Sequence, residues 1–130
     1  MKNHLKRIAA PRTWQLDRKA TKFTLRPNSG GQSLDMGLAL GTLLRDHLQI
    51  ASTMNEVQKI LNTNEVIVDG KRKKDRRTMV GLFDIISIPT TKQYVQIVLD
   101  SKGRLTTKEI DEKNIKVKEC KVTGKTIIRG

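Results

Sequence analysis

Two short segments of this sequence carry almost all of its positive charge. Residues 71–77 read KRKKDRR, with six bases and one acid, and residues 1–26 hold eight bases and one acid. Together they account for +12 of the formal net charge of +13. Arginine forks and mobile lysine ammonium groups are the side chains that bind phosphate. The pattern therefore predicts a phosphate-binding surface and a polyanionic partner, with RNA as the expected one.

Three other interpretations of this charge are weaker. A solubilising coat would spread the bases evenly along the chain, and here it does not. KRKKDRR could also be a solvated charge run or a localisation signal, but it directly follows a predicted turn. A basic membrane anchor fits poorly because Pro11 and scattered apolar residues interrupt residues 1–26, so we expect no membrane partner.

The side chains that could do catalysis are not arranged for it. His4 and His47 lie far apart, and His47 flanks an apolar helix face, where a packing role is expected. The acids show no paired spacing (Asp35, Asp46, Asp69, Asp84), although Asp46 could orient the adjacent Arg45 or cap a loop. A single Cys120 excludes an internal disulfide and a multi-cysteine metal site. We therefore expect no enzyme activity, no cofactor, no metal and no small-molecule substrate.

Two short helices are predicted in the middle of the chain. Leucines at positions 40, 43, 44 and 48 share one face with His47 at the helical period. The opposite, exposed face would present Thr42, Arg45, Asp46 and Gln49. Thr53 and Glu56 have the spacing of a capping box, and the second helix would bury residues 54, 57, 60 and 61 and end near Asn62.

The pattern then changes to alternating β-branched residues. Strands are expected over 65–68, 84–88, 94–99 and 105–110, followed by a last hairpin over 115–122 and 126–129 that would hold Cys120 in a buried or half-buried strand position. Asp69-Gly70 is a strong hairpin-turn signal and would place the basic residues 71–77 beside the helices. The fold class is therefore α+β.

Residues 1–20 bury little by their composition, so we expect an extension that is ordered mainly by its partner. Trp14 within it would either pack on the body or stack on a base, and packing is favoured.

Several segments resemble one known family. These are His4-Leu5-Lys6-Arg7-x-Ala9-Ala10-Pro11-x-x-Trp14, Leu43-Leu44-Arg45-Asp46-x-Leu48, Glu65-Val66-x-Val68-Asp69-Gly70-Lys71, Val80-Gly81-Leu82-x-Asp84-Ile85-Ile86 and Cys120-Lys121-x-x-Gly124-Lys125-Thr126. In this order they are similar to the archaeal and eukaryotic (e-type) family of small-subunit ribosomal protein four. Members of that family continue beyond the point that matches Gly130, so we expect a truncated form or a fragment.

The resemblance implies an αL-type RNA-binding motif, in which two helices pack on a small curved antiparallel sheet. It implies a basic N-terminal extension (residues 1–36), an RNA-binding domain (37–89) and the start of a β-rich central domain (90–130). It also implies a structural, cytoplasmic component of the small ribosomal subunit that contacts small-subunit ribosomal RNA and neighbouring ribosomal proteins. The residues expected on the RNA side are His4, Lys6, Arg7, Arg12, Trp14, Arg18, Lys19, Lys22, Thr42, Arg45, Lys71, Arg72, Lys73, Lys74, Arg76 and Arg77.

Other functions remain open from the sequence. The chain could be the RNA-binding appendage of an RNA-modifying enzyme or synthetase, although 130 residues leave no room for a catalytic domain. It could also be a free-standing RNA-binding factor that joins ribosomes reversibly, or a polybasic protein of membrane surfaces.

Overall fold

The computed structural model of the chain describes residues 3–118 and 120–129. These residues form an α+β fold with antiparallel sheets, which confirms the predicted class. The strands are β1 (Leu5–Lys6), β2 (Phe23–Thr24), β3 (Gly37–Ala39), β4 (Ile67–Val68), β5 (Lys71–Arg72), β6 (Met79–Gly81), β7 (Ile85–Ile88), β8 (Gln93–Leu99) and β9 (Leu105–Glu109). The helices are α1 (Leu40–Thr42), which continues as a π-helical segment (Leu43–His47), and α2 (Met54–Thr63). Short 3₁₀ turns lie at Arg7–Ala9, Pro89–Thr91 and Glu112–Asn114.

The largest sheet has the strand order β5-β4-β7-β8-β9, so β5 and β9 are its two edges. Two smaller ladders pair β1 with β2 and β3 with β6. The expected strands over 84–88, 94–99 and 105–110 are confirmed within one residue at each end, whereas only Ile67 and Val68 of the expected strand 65–68 are paired.

The first helix is wider than a regular α-helix. The Leu48 N–H donates to the Leu43 carbonyl at 2.9 Å and the Ile50 N–H to the Leu44 carbonyl at 3.0 Å, so each bond spans more residues than the four of an α-helical turn. Leu43 and Leu44 are fully buried, as the periodicity predicted. The wider turn brings His47 and Leu48 only half into the core.

The second helix begins where the capping box was predicted. The Thr53 hydroxyl accepts from the Glu56 N–H at 3.2 Å, and a Glu56 carboxylate oxygen accepts from the Ser52 and Thr53 N–H groups at 2.7 and 3.2 Å. These backbone donors hold the pKa of Glu56 below its usual value. Val57 and Leu61 are fully buried and Met54 and Ile60 pack against the core, so the predicted face is confirmed.

The hairpin at Asp69-Gly70 is also confirmed. Both residues have positive φ, +48° and +76°, as the two central residues of a type I′ turn require. Strand β4 pairs with β5 directly across this turn. The basic residues therefore begin on a paired strand.

The N-terminal extension packs on the body around Trp14, which confirms the favoured interpretation of this residue. Trp14 is buried in the core, and its indole N–H donates to the Gly37 carbonyl at 2.9 Å and lies 3.1 Å from that of Leu34. The Leu105 N–H donates to the Thr13 carbonyl at 2.7 Å, which brings the extension to the edge strand β9. The expectation that residues 1–20 are ordered mainly by a partner is therefore wrong for Thr13 and Trp14.

The expected last hairpin does not form among the described residues 115–118 and 120–129, and Glu119 lies outside them. Cys120 is exposed rather than buried in a strand. Val122, Ile127 and Ile128 are each more than 80% exposed, at 87%, 83% and 84%. A two-stranded hairpin is only marginally stable without an apolar face to cover it, and alternation alone predicted these strands wrongly.

We predict that Trp14→Ala lowers the free energy of unfolding by about 3–5 kcal/mol, because it empties a buried volume and leaves two carbonyl acceptors without their donor. Denaturant titration followed by circular dichroism would measure this. Phe23→Ala is the control, because Phe23 is 47% exposed in the same extension and its loss should cost less than about 1 kcal/mol. Equal, small effects of both variants would show that the extension does not pack on the body.

Candidate nucleic-acid interface

The basic loop (residues 71–77) is fixed to the rest of the molecule at its second half. The Arg77 Nε donates to the Arg26 carbonyl at 3.1 Å, and the Arg77 carbonyl accepts from the Asn28 N–H at 2.8 Å. The Arg76 carbonyl accepts from the Gly41 N–H at 2.8 Å. A Cβ on Gly41 would lie 2.8 Å from the Leu25 Cδ2 and 3.2 Å from both the Cβ and the carbonyl oxygen of Arg76, so a larger residue here would force its neighbours to shift.

Asp75 is the acid within the basic loop, and it organises the turn. Its carboxylate accepts from the Asn28 side-chain amide and from the Arg77 N–H, both at 2.8 Å. The carboxylate of Asp75 therefore stabilises the turn of the loop. Arg76 and Arg77 are half-buried beside it.

The first half of the basic loop presents its charge outward. Lys71 and Lys74 are exposed and Lys73 is half-buried, and none of the three forms a salt bridge with any described residue. Arg72 makes only a 3.9 Å contact with Glu65 and a 3.4 Å contact with the Asn62 carbonyl. The backbone is held all the same, because the Lys73 N–H donates to the Val66 carbonyl and the Gln58 amide to the Lys74 carbonyl.

A second set of bases lies along the N-terminal extension. Lys6, Arg18, Lys19 and Lys22 line a shallow cleft of about 380 Å³ together with Ile8 and Thr21. Arg18 donates to the carbonyls of Ile8 and Ala10, at 2.8 and 3.2 Å, and so closes the turn of the extension.

Two side chains of the extension lie close to the exposed ring of Phe23. The Lys22 ammonium lies 5.4 Å from the ring centroid, and the His4 ring meets it edge-on at 5.9 Å. Arg12 is exposed.

Arg45 lies beside Arg7 of the N-terminal extension, in a cleft that both residues line. Its guanidinium grips Asp46 through two hydrogen bonds of 2.9 and 2.8 Å, which confirms that Asp46 orients it. Arg7 approaches the same carboxylate at 3.6 Å from the extension. Ala51 and Ser52 line the cleft beside Arg45, and two residues further on the Met54 carbonyl lies 3.4 Å from the Arg76 guanidinium.

Three of the residues expected on the RNA side are buried. Arg7 is 4% exposed, Trp14 3% and Thr42 0%. Trp14 therefore packs on the body, and stacking on a base is excluded in this conformation. The exposed position expected for Thr42 is wrong, because the Leu40 and Gly41 N–H groups donate to the Thr78 and Arg76 carbonyls and bring that segment across the start of the helix.

His47 is half-buried at the end of the first helix. Burial lowers its pKa, and the nearby Asp46 carboxylate offsets part of this effect. Its Nε2 is buried without a hydrogen-bond partner. The ring is therefore packed rather than offered to a ligand, which agrees with the predicted packing role.

One polar cluster escaped prediction from the sequence. The Lys118 ammonium lies 2.6 Å from a carboxylate oxygen of Asp69 and 2.6 Å from one of Asp84, which are 49 and 34 residues away in the chain. Burial raises the pKa of Asp69, but the Ile85 N–H and Lys118 outweigh this and hold it below its usual value. Burial lowers the pKa of Lys118, and the two carboxylates raise it above its usual value. The cluster supports the base of the hairpin, and no local pattern signals it.

Within the described residues, histidines, cysteines and acids do not gather into a group that could hold a metal ion. The same part of the chain has no helix that is long and apolar enough to cross a membrane.

The chain is similar to known proteins in its two terminal segments and over nearly its whole length. Residues 1–32 match the RS4NT (NUC023) domain and residues 91–130 match the ribosomal family S4e. The small ribosomal subunit protein eS4 of Methanocella arvoryzae is 41% identical over 128 residues, and that of Methanococcus maripaludis is 38% identical over 129. The chain belongs to the S4e family.

The similarity to S4e proteins covers nearly all of this chain, 98–99% in these two cases, but only 54% and 52% of the relatives. The chain thus spans about half the length of the curated S4e relatives that it matches. A crystal structure of the 30S ribosomal protein S4e from Thermoplasma acidophilum aligns with a TM-score of 0.54 at 26% identity, over 65% of this chain and 43% of that one. Fold and sequence agree on the S4e family.

We predict that Thr42→Val leaves RNA affinity unchanged and keeps or raises the free energy of unfolding, by up to about 1 kcal/mol. The Thr42 hydroxyl is buried and has no hydrogen-bond partner, so its removal ends a desolvation cost. Thr53→Val is the matched control and should cost about 0.5–2 kcal/mol, because it removes the helix cap. A tenfold loss of RNA affinity in Thr42→Val would restore Thr42 to the RNA side.

Proposed function

We propose that this S4e chain is a structural component of the small ribosomal subunit that binds small-subunit ribosomal RNA and carries out no reaction. Its place would be the cytoplasmic ribosome, with neighbouring ribosomal proteins as further partners. The single observation that carries this proposal is the unpaired charge of Lys71, Lys73 and Lys74 on a hairpin whose backbone is fixed on both sides.

A fixed basic loop suits double-stranded RNA. The deep major groove of an RNA helix excludes side chains, so proteins bind it through its shape, its phosphates and its 2′-hydroxyls. Because the backbone that carries the three lysines is already held, binding would cost less backbone conformational entropy than it would on a free loop. The relatives' name, small ribosomal subunit protein, supports ribosomal RNA as the partner.

The residues proposed to contact RNA divide by exposure. Those with exposed or half-exposed charge or ring edges are His4, Lys6, Arg12, Lys19, Lys22, Arg45, Lys71, Arg72, Lys73 and Lys74. Arg18, Arg76 and Arg77 use their side chains on backbone carbonyls and would act by positioning the others. The three expected domains, 1–36, 37–89 and 90–130, remain a proposal, and the contact of Trp14 with β9 links the first to the last.

We predict that replacing Lys71, Lys73 and Lys74 together by Ala weakens binding to small-subunit ribosomal RNA at least about tenfold at 0.1 M salt. Each lost phosphate contact should also reduce the slope of log affinity against log salt by roughly 0.7–0.9, so by about 2–3 in all. Fluorescence anisotropy across a salt series would measure both quantities.

The control variant removes the same number of positive charges from another part of the chain. Lys102, Lys108 and Lys113 lie in the β8–β9 turn, on β9 and just after it, and β9 is the sheet edge opposite to β5. Their replacement by Ala should affect affinity and slope clearly less. If both triple variants lose the same affinity and slope, RNA is attracted by net charge alone and the basic loop is not the binding surface.

A further inference from the structure

Two arginines from different parts of the chain share a single carboxylate. Arg45 already takes both oxygens of Asp46, at 2.9 and 2.8 Å. Arg7 reaches that carboxylate only at 3.6 Å, and its remaining short bond, 2.6 Å, goes to the neutral Asp17 carbonyl. This group of three charges therefore carries a net charge of +1.

The excess charge lies on a buried residue. The Arg7 side chain is 5% exposed, and its Nε has no hydrogen-bond partner. Burial of a guanidinium is costly unless an anion and hydrogen-bond acceptors compensate it. The single negative charge of Asp46 balances only one of the two guanidinium charges. A second anion beside Arg7 would balance the other.

The surroundings of this pair suit an oxyanion. Arg7, Arg45 and Asp46 line an open cleft of about 540 Å³, together with Thr21, Gln49, Ala51 and Ser52. The hydroxyl and amide groups of this lining can donate hydrogen bonds to oxygen. A single arginine can also bind a phosphate group through two parallel N–H donors. We call this space, lined by the seven residues just named, the arginine cleft.

We propose that the arginine cleft binds one phosphate group, with Arg7 and Arg45 as its cationic ligands and Asp46 as the residue that orients both. The phosphate can belong to an RNA backbone or to a free oxyanion. In its RNA form the inference rests on the proposed function and deepens it, since it assigns one phosphate to a built site instead of a diffuse basic surface.

The proposal also gives the arginine cleft a mechanical role. Arg7 begins the 3₁₀ turn of the N-terminal extension, whereas Arg45 belongs to the helix of residues 40–47. A phosphate held by both would fasten the extension to the helix more firmly. Binding in the arginine cleft would therefore stabilise the arrangement that lines up the bases of the extension.

The first test titrates the 130-residue chain with inorganic phosphate at constant ionic strength and follows the Nε–Hε signals of its arginines by NMR. Saturable shifts are expected for Arg7 and Arg45. Arg104 is the internal control, because it grips Asp100 in a similar pair, at 2.9 and 2.8 Å, but no second arginine shares that carboxylate among the described residues. Unsaturable shifts, or equal shifts at Arg104, would overturn the proposal.

Variants give the second test. Arg45→Gln should weaken phosphate binding at least about tenfold, the loss of one charge-assisted hydrogen-bond pair, and Arg104→Gln should leave it unchanged. The wild-type titration needs no variant, so it remains decisive if Arg45→Gln does not fold. Equal phosphate affinity of a folded Arg45→Gln and the wild type would contradict the assignment.

A third test separates this inference from the proposed function. Ribosomal RNA binding that is unaffected by Arg45→Gln, in a chain without saturable phosphate shifts, would refute the arginine cleft and leave the proposed function standing. Saturable phosphate binding without any affinity for the ribosomal RNA would refute the proposed function and identify the arginine cleft as a site for free oxyanions. Competition between inorganic phosphate and RNA, lost in Arg45→Gln, is the result we expect.

Discussion

The burial of Trp14 is the interaction on which the rest of the arrangement depends. Its ring fills the core, its N–H is satisfied by the carbonyls of residues 34 and 37, and its backbone lies beside the start of β9. One side chain thus joins the extension, the entry to β3 and the far edge of the large sheet. This anchor holds the bases of residues 6–22 together with the pairing of β1 and β2, because a basic segment without buried residues would have little to order it.

The basic residues of the chain have two roles: some hold the backbone in place, and others offer an unpaired charge at the surface. Arg7, Arg18, Arg76 and Arg77 spend their hydrogen bonds on backbone carbonyls, where a planar guanidinium can satisfy several acceptors at once. Lys71, Lys73 and Lys74 keep their ammonium groups free of acidic partners among the described residues. Such a division gives a surface that is both rigid and electropositive, which is what binding to a regular phosphate lattice requires.

Local signals in the sequence predicted the parts of the fold that depend on local chemistry. Asp69-Gly70 needs only its own two positive φ values to turn the chain, and Thr53 with Glu56 needs only the first turn of α2. The charge count likewise pointed to residues 71–74, of which Lys71, Arg72 and Lys74 are exposed and Lys73 is half-buried.

Interactions between distant residues could not be predicted in this way. Thr42 lies on the polar face of a helical projection, yet residues 76–78 cross over it. Lys118 joins Asp69 and Asp84 across 49 and 34 residues, and no spacing announces such a contact. The apolar residues of 115–129 alternate as a hairpin would, but strand formation also needs a surface on which to pack.

The central claim is that this S4e chain is a dedicated binder of ribosomal RNA, and the most direct measurement is its affinity for small-subunit ribosomal RNA against an unrelated structured RNA across a salt series. We expect log affinity to fall with log salt at a slope of several units, while the preference for the ribosomal RNA persists as salt rises. Equal affinity for both RNAs, lost together at high salt, would contradict the account and leave a basic module without a dedicated partner.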